Sequence, residues 1–174
     1  RCAGALYSAP WGWSHQLDRG RRSVVWDIRA EMENAATEAE VQMKQVSPQE
    51  TSLWHQEVWR TYCKGWYHAE KTIWEHVIYF ESAYNPEGWT KLAFLGTAPI
   101  LVMMNPENCI YSFQFPCAQE LSNTLKHCFG FEFHITNEQY EFLVAFNHHD
   151  YLILSGTAIK NIVYGKNIIL LHKV

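Results

Sequence analysis

The sequence predicts an α+β domain, and three observations predict it. Apolar residues recur at helical spacing through the first half, apolar and polar residues alternate through much of the second, and a hairpin turn is written at Asn147-His148-His149-Asp150. The expected arrangement is N-terminal helices packed on an antiparallel sheet, in the order α-α-β-β-β-α-β-β-β-α with an optional final strand. A chain of 174 residues suits one core better than two, so residues 21–174 are read as one domain behind a poorly defined segment at 1–20. Apolar residues make up 48% of the chain against 18% charged, which is far more burial potential than a disordered segment carries.

The first helix is expected from Ser23 to about Lys44, where Ile28, Met32, Ala36, Ala39 and Met43 recur at steps of three or four. Asp27, Glu31, Glu33, Glu38 and Glu40 make its other side acidic, either as a solvated face or as a docking face for a basic partner. Ser47-Pro48-Gln49-Glu50 starts a second helix: the Ser47 hydroxyl can accept from the Glu50 amide, Glu50 can reach back, and Pro48 sits where no amide donor is needed. Trp54, Val58, Tyr62, Trp66, Ala69, Ile73 and Val77 carry the spacing onward. Gly65 in their midst costs about 1 kcal/mol relative to Ala, so one bent helix or two are expected before the turn at Asn85-Pro86-Glu87-Gly88.

Lys91–Leu95, Ile100–Met104 and Cys109–Phe115 are short β-rich runs bounded by turn residues and predict a three-stranded meander. Pro116 then opens a helix with Ala118, Leu121, Leu125 and Cys128 as its apolar stripe, and Gly130 supplies the stop. Phe131, Phe133 and Ile135 alternate with Glu132, His134 and Thr136 as in a half-buried strand, and Tyr140 to Phe146 repeats the pattern. With Asn147 facing Asp150, Phe146 would oppose Tyr151, Ala145 Leu152, Val144 Ile153 and Leu143 Leu154. Both faces then match apolar to apolar, which predicts a strand pair covered on both sides. Thr157–Tyr164 is expected as a short helix and Ile168–Leu171 as a final strand.

Composition also bounds function. A net charge of -4, with only Arg19, Arg21 and Arg22 clustered, lacks the basic patch that phosphate neutralisation requires, so no nucleic-acid partner is expected. The longest nearly apolar stretch, Leu92–Met104, is broken by Gly96, Thr97 and Pro99 and is shorter than the roughly 20 residues a membrane span needs. A cytoplasmic location without membrane contact is the expectation. Cys2, Cys63, Cys109, Cys117 and Cys128 form an odd set with no C-x-x-C spacing, so reduced thiols are expected, with neither a metal site nor a cofactor.

Asn147-His148-His149-Asp150 is the most distinctive polar cluster. Its Asn and Asp side chains can bond nearby amides in a turn, while its two histidines can meet a partner, a ligand or a proton. Adjacent residues on an extended chain point apart, so His148 and His149 are not expected to share one metal. In the second helix, Trp59, Trp66 and His68 belong to an aromatic stripe read as core or oligomer interface, with a platform for a ring-bearing ligand as the sharper reading. His127-Cys128 offers acid-base and nucleophile types without their geometry, because Cys128 falls on the apolar stripe and His127 does not.

Taken together, Cys128-Phe129-Gly130-Phe131-Glu132-Phe133-His134-Ile135, then Tyr140-Glu141-Phe142-Leu143-Val144, then Asn147-His148-His149-Asp150 with Gly156 closing the next strand, resemble an uncharacterised family of small bacterial α+β proteins with an N-H-H-D hairpin signature. The resemblance runs from Trp74 to Gly156. Phe142 and Ser155-Gly156 stand where the family has Trp-bearing and glycine-rich versions, so the chain would be a divergent member. The family carries no established activity and is similar to immunity and mobile-element accessory proteins. With no G-x-S-x-G, P-loop, G-x-G-x-x-G or H-E-x-x-H in the chain, the expected function is a non-enzymatic, immunity-like binding protein acting through a protein-protein surface. The alternatives are a small-molecule-binding protein or hydrolytic enzyme with a His/Asp site at residues 147–150, and a homo-oligomeric structural module that uses its aromatics for self-association.

Overall fold

Over residues 26–67 and 71–160, which the computed structural model describes, the chain builds one seven-stranded antiparallel sheet with helices on both faces. Its elements run α1 (Ile28–Glu38), β1 (Lys44–Val46), α2 (Pro48–Tyr62), β2 (Phe80–Tyr84), β3 (Ile100–Met103), β4 (Ser112–Phe115), α3 (Ala118–Leu125), β5 (Phe133–Asn137), β6 (Phe142–Phe146) and β7 (Tyr151–Gly156). The strand order is β1-β4-β3-β5-β6-β7-β2, so β1 and β2 are the two edges. The α+β class holds, with the sheet as its larger part. The element order differs from expectation at four places.

α1 starts where Asp27 Oδ1 accepts from the Arg29 and Ala30 amides, and it stops earlier than Lys44. Glu40 adopts φ 56°, Val41 N donates to Ala36 O and Glu40 N to Thr37 O, the paired bonds of a Schellman cap built without glycine. The chain is thereby freed to form β1, a strand the helical spacing had concealed. α2 begins as expected, with Ser47 Oγ accepting from the Glu50 amide and Pro48 in the first turn. It ends at Tyr62 instead of continuing to Val77. Gly65 at φ 86° turns the chain, and Cys63 pairs with Val77 while Ile78 N donates to Tyr62 O, so the chain returns beside the end of α2, with a 3₁₀ turn at Ile73–Glu75.

Phe80–Tyr84, expected to precede a turn inside the helical half, is edge strand β2 and pairs with β7. Lys91–Leu95, expected as a strand, follows one 3₁₀ turn at Gly88–Thr90 and ends in another at Ala93–Leu95, pinned to α3 by Leu92 N donating to Ser122 Oγ. Only β3 and β4 of the expected meander form, and β3 takes β5 as its other neighbour. The chain turns helical again at Ala158, inside the helix expected at 157–164; residues 161–164 and the expected strand at 168–171 lie outside the described residues.

The hairpin around Asn147 forms, but its register is one residue off the expected one: Phe146 opposes Leu152, Ala145 Ile153, Val144 Leu154 and Leu143 Ser155. Asp150 at φ 62° is the cause. Asn147 N donates to Tyr151 O, leaving a three-residue loop whose last residue is left-handed, as in a type I turn followed by a bulge. The pair is nonetheless covered on both sides. Phe142, Val144 and Phe146 join Met32, Phe113, Phe133 and Leu121 under α1 and α3. Leu143, Ala145, Met103 and Ile153 join Val58, Trp59 and Tyr62 under α2.

Candidate functional site

The tip of the β6–β7 hairpin is organised by Asn147, a buried side chain whose Oδ1 accepts from the His149 and Tyr151 amides at 3.1 Å each. That geometry pushes His148 and His149 outward and, because they sit in a turn, brings their ring centroids within 3.9 Å. The expectation that the two imidazoles point apart, drawn from extended chain, is corrected by the turn itself. Both rings stand edge-on to Trp74, which the 3₁₀ turn before β2 delivers to the same spot. Glu132, just ahead of β5, binds the assembly: its carboxylate accepts from the His148 amide at 3.0 Å, pairs with His148 Nδ1 and receives the Trp74 indole N–H at 3.4 Å. Asp150 contributes its left-handed backbone and its amide, which donates to Asn147 O.

Glu132 is the residue the alternation pattern did not single out. It is read from sequence only as a polar position of a half-buried strand. What could have flagged it is its offset of two from His134, since both then share one sheet face. A carboxylate on one imidazole nitrogen orients the ring, as in acid-base sites. Among the described residues no hydroxyl or thiol hydrogen-bonds to His148 or His149, and no three His, Cys, Asp or Glu residues are grouped to hold a metal.

Two residues further along β5, His134 was expected on the solvated side of its strand. It is buried at 5% exposure beneath α2 and lies 3.3 Å, Nε2 to Nδ1, from His55, itself 2% exposed. Burial pushes His55 down to about pKa 4, and burial together with the neighbouring His55 holds His134 well below the ordinary histidine value, so both rings are neutral at pH 7. His55 Nε2, Thr51 Oγ1 one helical turn earlier and Ser112 Oγ have no hydrogen-bond partner among the described residues. A small notch lined by Lys71, Thr72, Trp74, Glu132 and His134 brings one member of this pair, His134, to the same cleft as the Trp74 and Glu132 that contact the hairpin tip.

The aromatic residues expected to act together are separated. Trp59 is core: it is 2% exposed, its indole donates to Gly65 O at 2.9 Å, and its ring packs on Tyr67 and His76. Trp66 lies past the end of α2 at 88% exposure, and His68 falls outside the described residues. His127 turns from the apolar stripe as expected and pairs with Glu38 at 3.1 Å, while burial raises the Cys128 thiol to about 12.

Three exposed aromatics cluster at and just before β2. Tyr79 is 88% exposed at φ 54°, Phe80 48% and Tyr84 60%, and among the described residues β2 pairs with β7 alone. Tyr84 stacks edge-on to Tyr151 at 5.6 Å, which fixes its ring at the sheet margin. No helix among the described residues is long and apolar enough to cross a membrane. Comparison with protein-family models, with curated proteins and with solved structures finds no match to this chain.

Proposed function

We propose that the chain is a non-enzymatic binding protein that engages a protein partner along the outer edge of β2, in keeping with the immunity-like character its N-H-H-D resemblance implies. The carrying observation is an edge strand that among the described residues pairs on one side alone, with Phe80 and Tyr84 exposed along it and Tyr79 exposed just before it. An open edge offers a row of backbone donors and acceptors, and an added strand satisfies them while side chains give specificity. Soluble proteins ordinarily guard such edges with Lys, Pro or short length. β1 has exposed Lys44 and only three residues, whereas the only charge in β2 is Glu81. Replacing Tyr84 by Lys places a guarding charge at an exposed position, so partner binding drops at least tenfold with melting unchanged; equal binding by the variant refutes the reading.

A second reading, a small-molecule or hydrolytic site at the hairpin tip, is favoured by the Glu132–His148 pair beside Trp74. A ligand there raises the melting temperature of the unsubstituted protein and not of His148→Ala.

A further inference from the structure

The open edge of β2 fits a second copy of itself, and we infer that this chain forms a twofold dimer by antiparallel β2–β2 pairing centred on Ser82. The inference rests on the reading of β2 as the binding edge and names its occupant. Two copies of one strand can pair antiparallel only about a dyad normal to the sheet, and paired residues must share a face. The dyad therefore passes through a residue, and the strand offers few choices.

Centring on Ser82 pairs Phe80 with the partner's Tyr84, Glu81 with the partner's Ala83, and Ser82 with itself. This is the register that engages all of Phe80–Tyr84. Centring on Glu81 sets two carboxylates directly opposite, a destabilising juxtaposition. Centring on Ala83 puts Phe80 against the partner's Pro86, which has no amide to donate. The charge pattern of the strand thus selects the register that covers the most backbone.

The faces agree with it. Phe80, Ser82 and Tyr84 oppose Ser155, Ile153 and Tyr151 on β7, so all three lie on the α2 side of the sheet. Tyr84 already stacks on Tyr151, and the partner's Phe80 would continue that row as the next ring, once on each side of the dyad. On the other side, Glu81 meets the small Ala83, which leaves its carboxylate a path to solvent. Pairing of this kind closes after two copies, because the edge then left at either end is β1, short and carrying Lys44. An open-ended fibre is excluded by the same feature.

Light scattering on the full chain tests the inference, with two variants that carry opposite predictions. Phe80→Glu with Tyr84→Glu sets acid opposite acid across the dyad, and the mass falls from dimer to monomer. Phe80→Lys with Tyr84→Glu sets opposite charges at the same two contacts, and the dimer returns and weakens as salt is raised. Circular dichroism confirms that both variants fold. Identical behaviour of the two variants overturns the register. A wild-type monomer at every concentration overturns the dimer. If that monomer still captures an extended peptide and the double-Glu variant does not, the edge binds a foreign strand and only self-pairing is lost; if it captures nothing, the edge reading fails as well. A wild-type monomer that loses thermal stability in both variants shows that the edge is covered from within the chain, which also overturns the dimer.

Discussion

The two faces of the sheet are built differently. Under α1 and α3 the layer is mainly apolar, with Met32, Leu92, Ile100, Phe113, Phe115, Leu121 and Ile135 packed around Phe133 and Val144, and its buried Ser122, Thr124 and Asn137 side chains are all hydrogen-bonded. Under α2 the apolar residues are interrupted by His55, His134, Thr51 and Ser112, three of which leave a buried polar atom unpartnered. A buried polar group without a partner costs about 1–3 kcal/mol; among the described residues three such atoms stand on the α2 face against one, Glu120 Oε2, on α3, so the second face is held less firmly than the first. It is also the face on which Phe80, Ser82, Tyr84, His134 and the hairpin-leading Asn147 all stand. The dry face keeps the fold, and the polar face carries the hairpin-tip cluster and the exposed aromatics of β2.

The largest effect that probes this division is truncation on the dry face. Phe113 is fully buried between Val102 and Gln45 in register, and Phe113→Ala removes an aromatic side chain from the mainly apolar layer. The expected loss is about 3–5 kcal/mol in denaturant unfolding. A loss under about 1 kcal/mol would mean that the dry face can collapse around a missing ring, and the contrast between the faces would go.

A smaller effect, confined to the α2 face, comes with pH. Burial depresses the folded pKa of His55 from the ordinary 6.5 to about 4, and burial together with the neighbouring His55 depresses that of His134 in the same direction. A depressed value means that the unfolded chain binds more protons than the folded one in this range. Stability is therefore fully present above pH 6.5 and is lost as pH falls toward 4. At pH 5 the loss through His55 alone is about 2 kcal/mol relative to pH 7. Denaturant midpoints across that range should fall for the unsubstituted protein and for Phe113→Ala, and stay level for His55→Leu combined with His134→Leu. A slope that survives in the double variant would place the titrating groups elsewhere.

How far the sequence discloses each element depends on how local its cause is. The Ser47 cap, the stripe Ala118-Leu121-Leu125 and the existence of the Asn147 hairpin are each settled within a few residues, and each was legible. The end of α2 was not, because Trp66, Ile73 and Val77 keep helical spacing while Gly65 and the Cys63–Val77 pairing reverse the chain. β2 escaped because Glu81 and Ser82 give it no apolar alternation; its strand character comes from β7. The hairpin register turned on the left-handed Asp150, a conformation that Gly advertises and Asp conceals. At the candidate site, Asn147, His148 and His149 were visible as a cluster. Their carboxylate Glu132, the Trp74 ring 58 residues from it in sequence, and the burial of His134 by α2 all depend on long-range contacts that no local pattern encodes.

The smallest effect lies where the polar face reaches the surface. Glu132→Gln keeps the shape of the side chain and an oxygen to accept from the His148 amide, while removing the charge that the His148 ring and the Trp74 indole share. Because His148 is 58% exposed, solvent replaces much of what is lost, and the expected cost is under about 1 kcal/mol, or a melting shift of at most about 3 °C. The effect is local. The His148 amide should exchange its hydrogen faster while amides of β3 and β5 are unaltered, and the Trp74 fluorescence should shift as the two imidazoles leave its edge. Unchanged exchange at His148 would show that Asn147 alone holds the tip, and Glu132 would then be a passive neighbour. A melting drop several times larger would mean the opposite, that Glu132 couples the tip to the buried His134 beside it in the same notch, and the polar face would have to be treated as one cooperative unit.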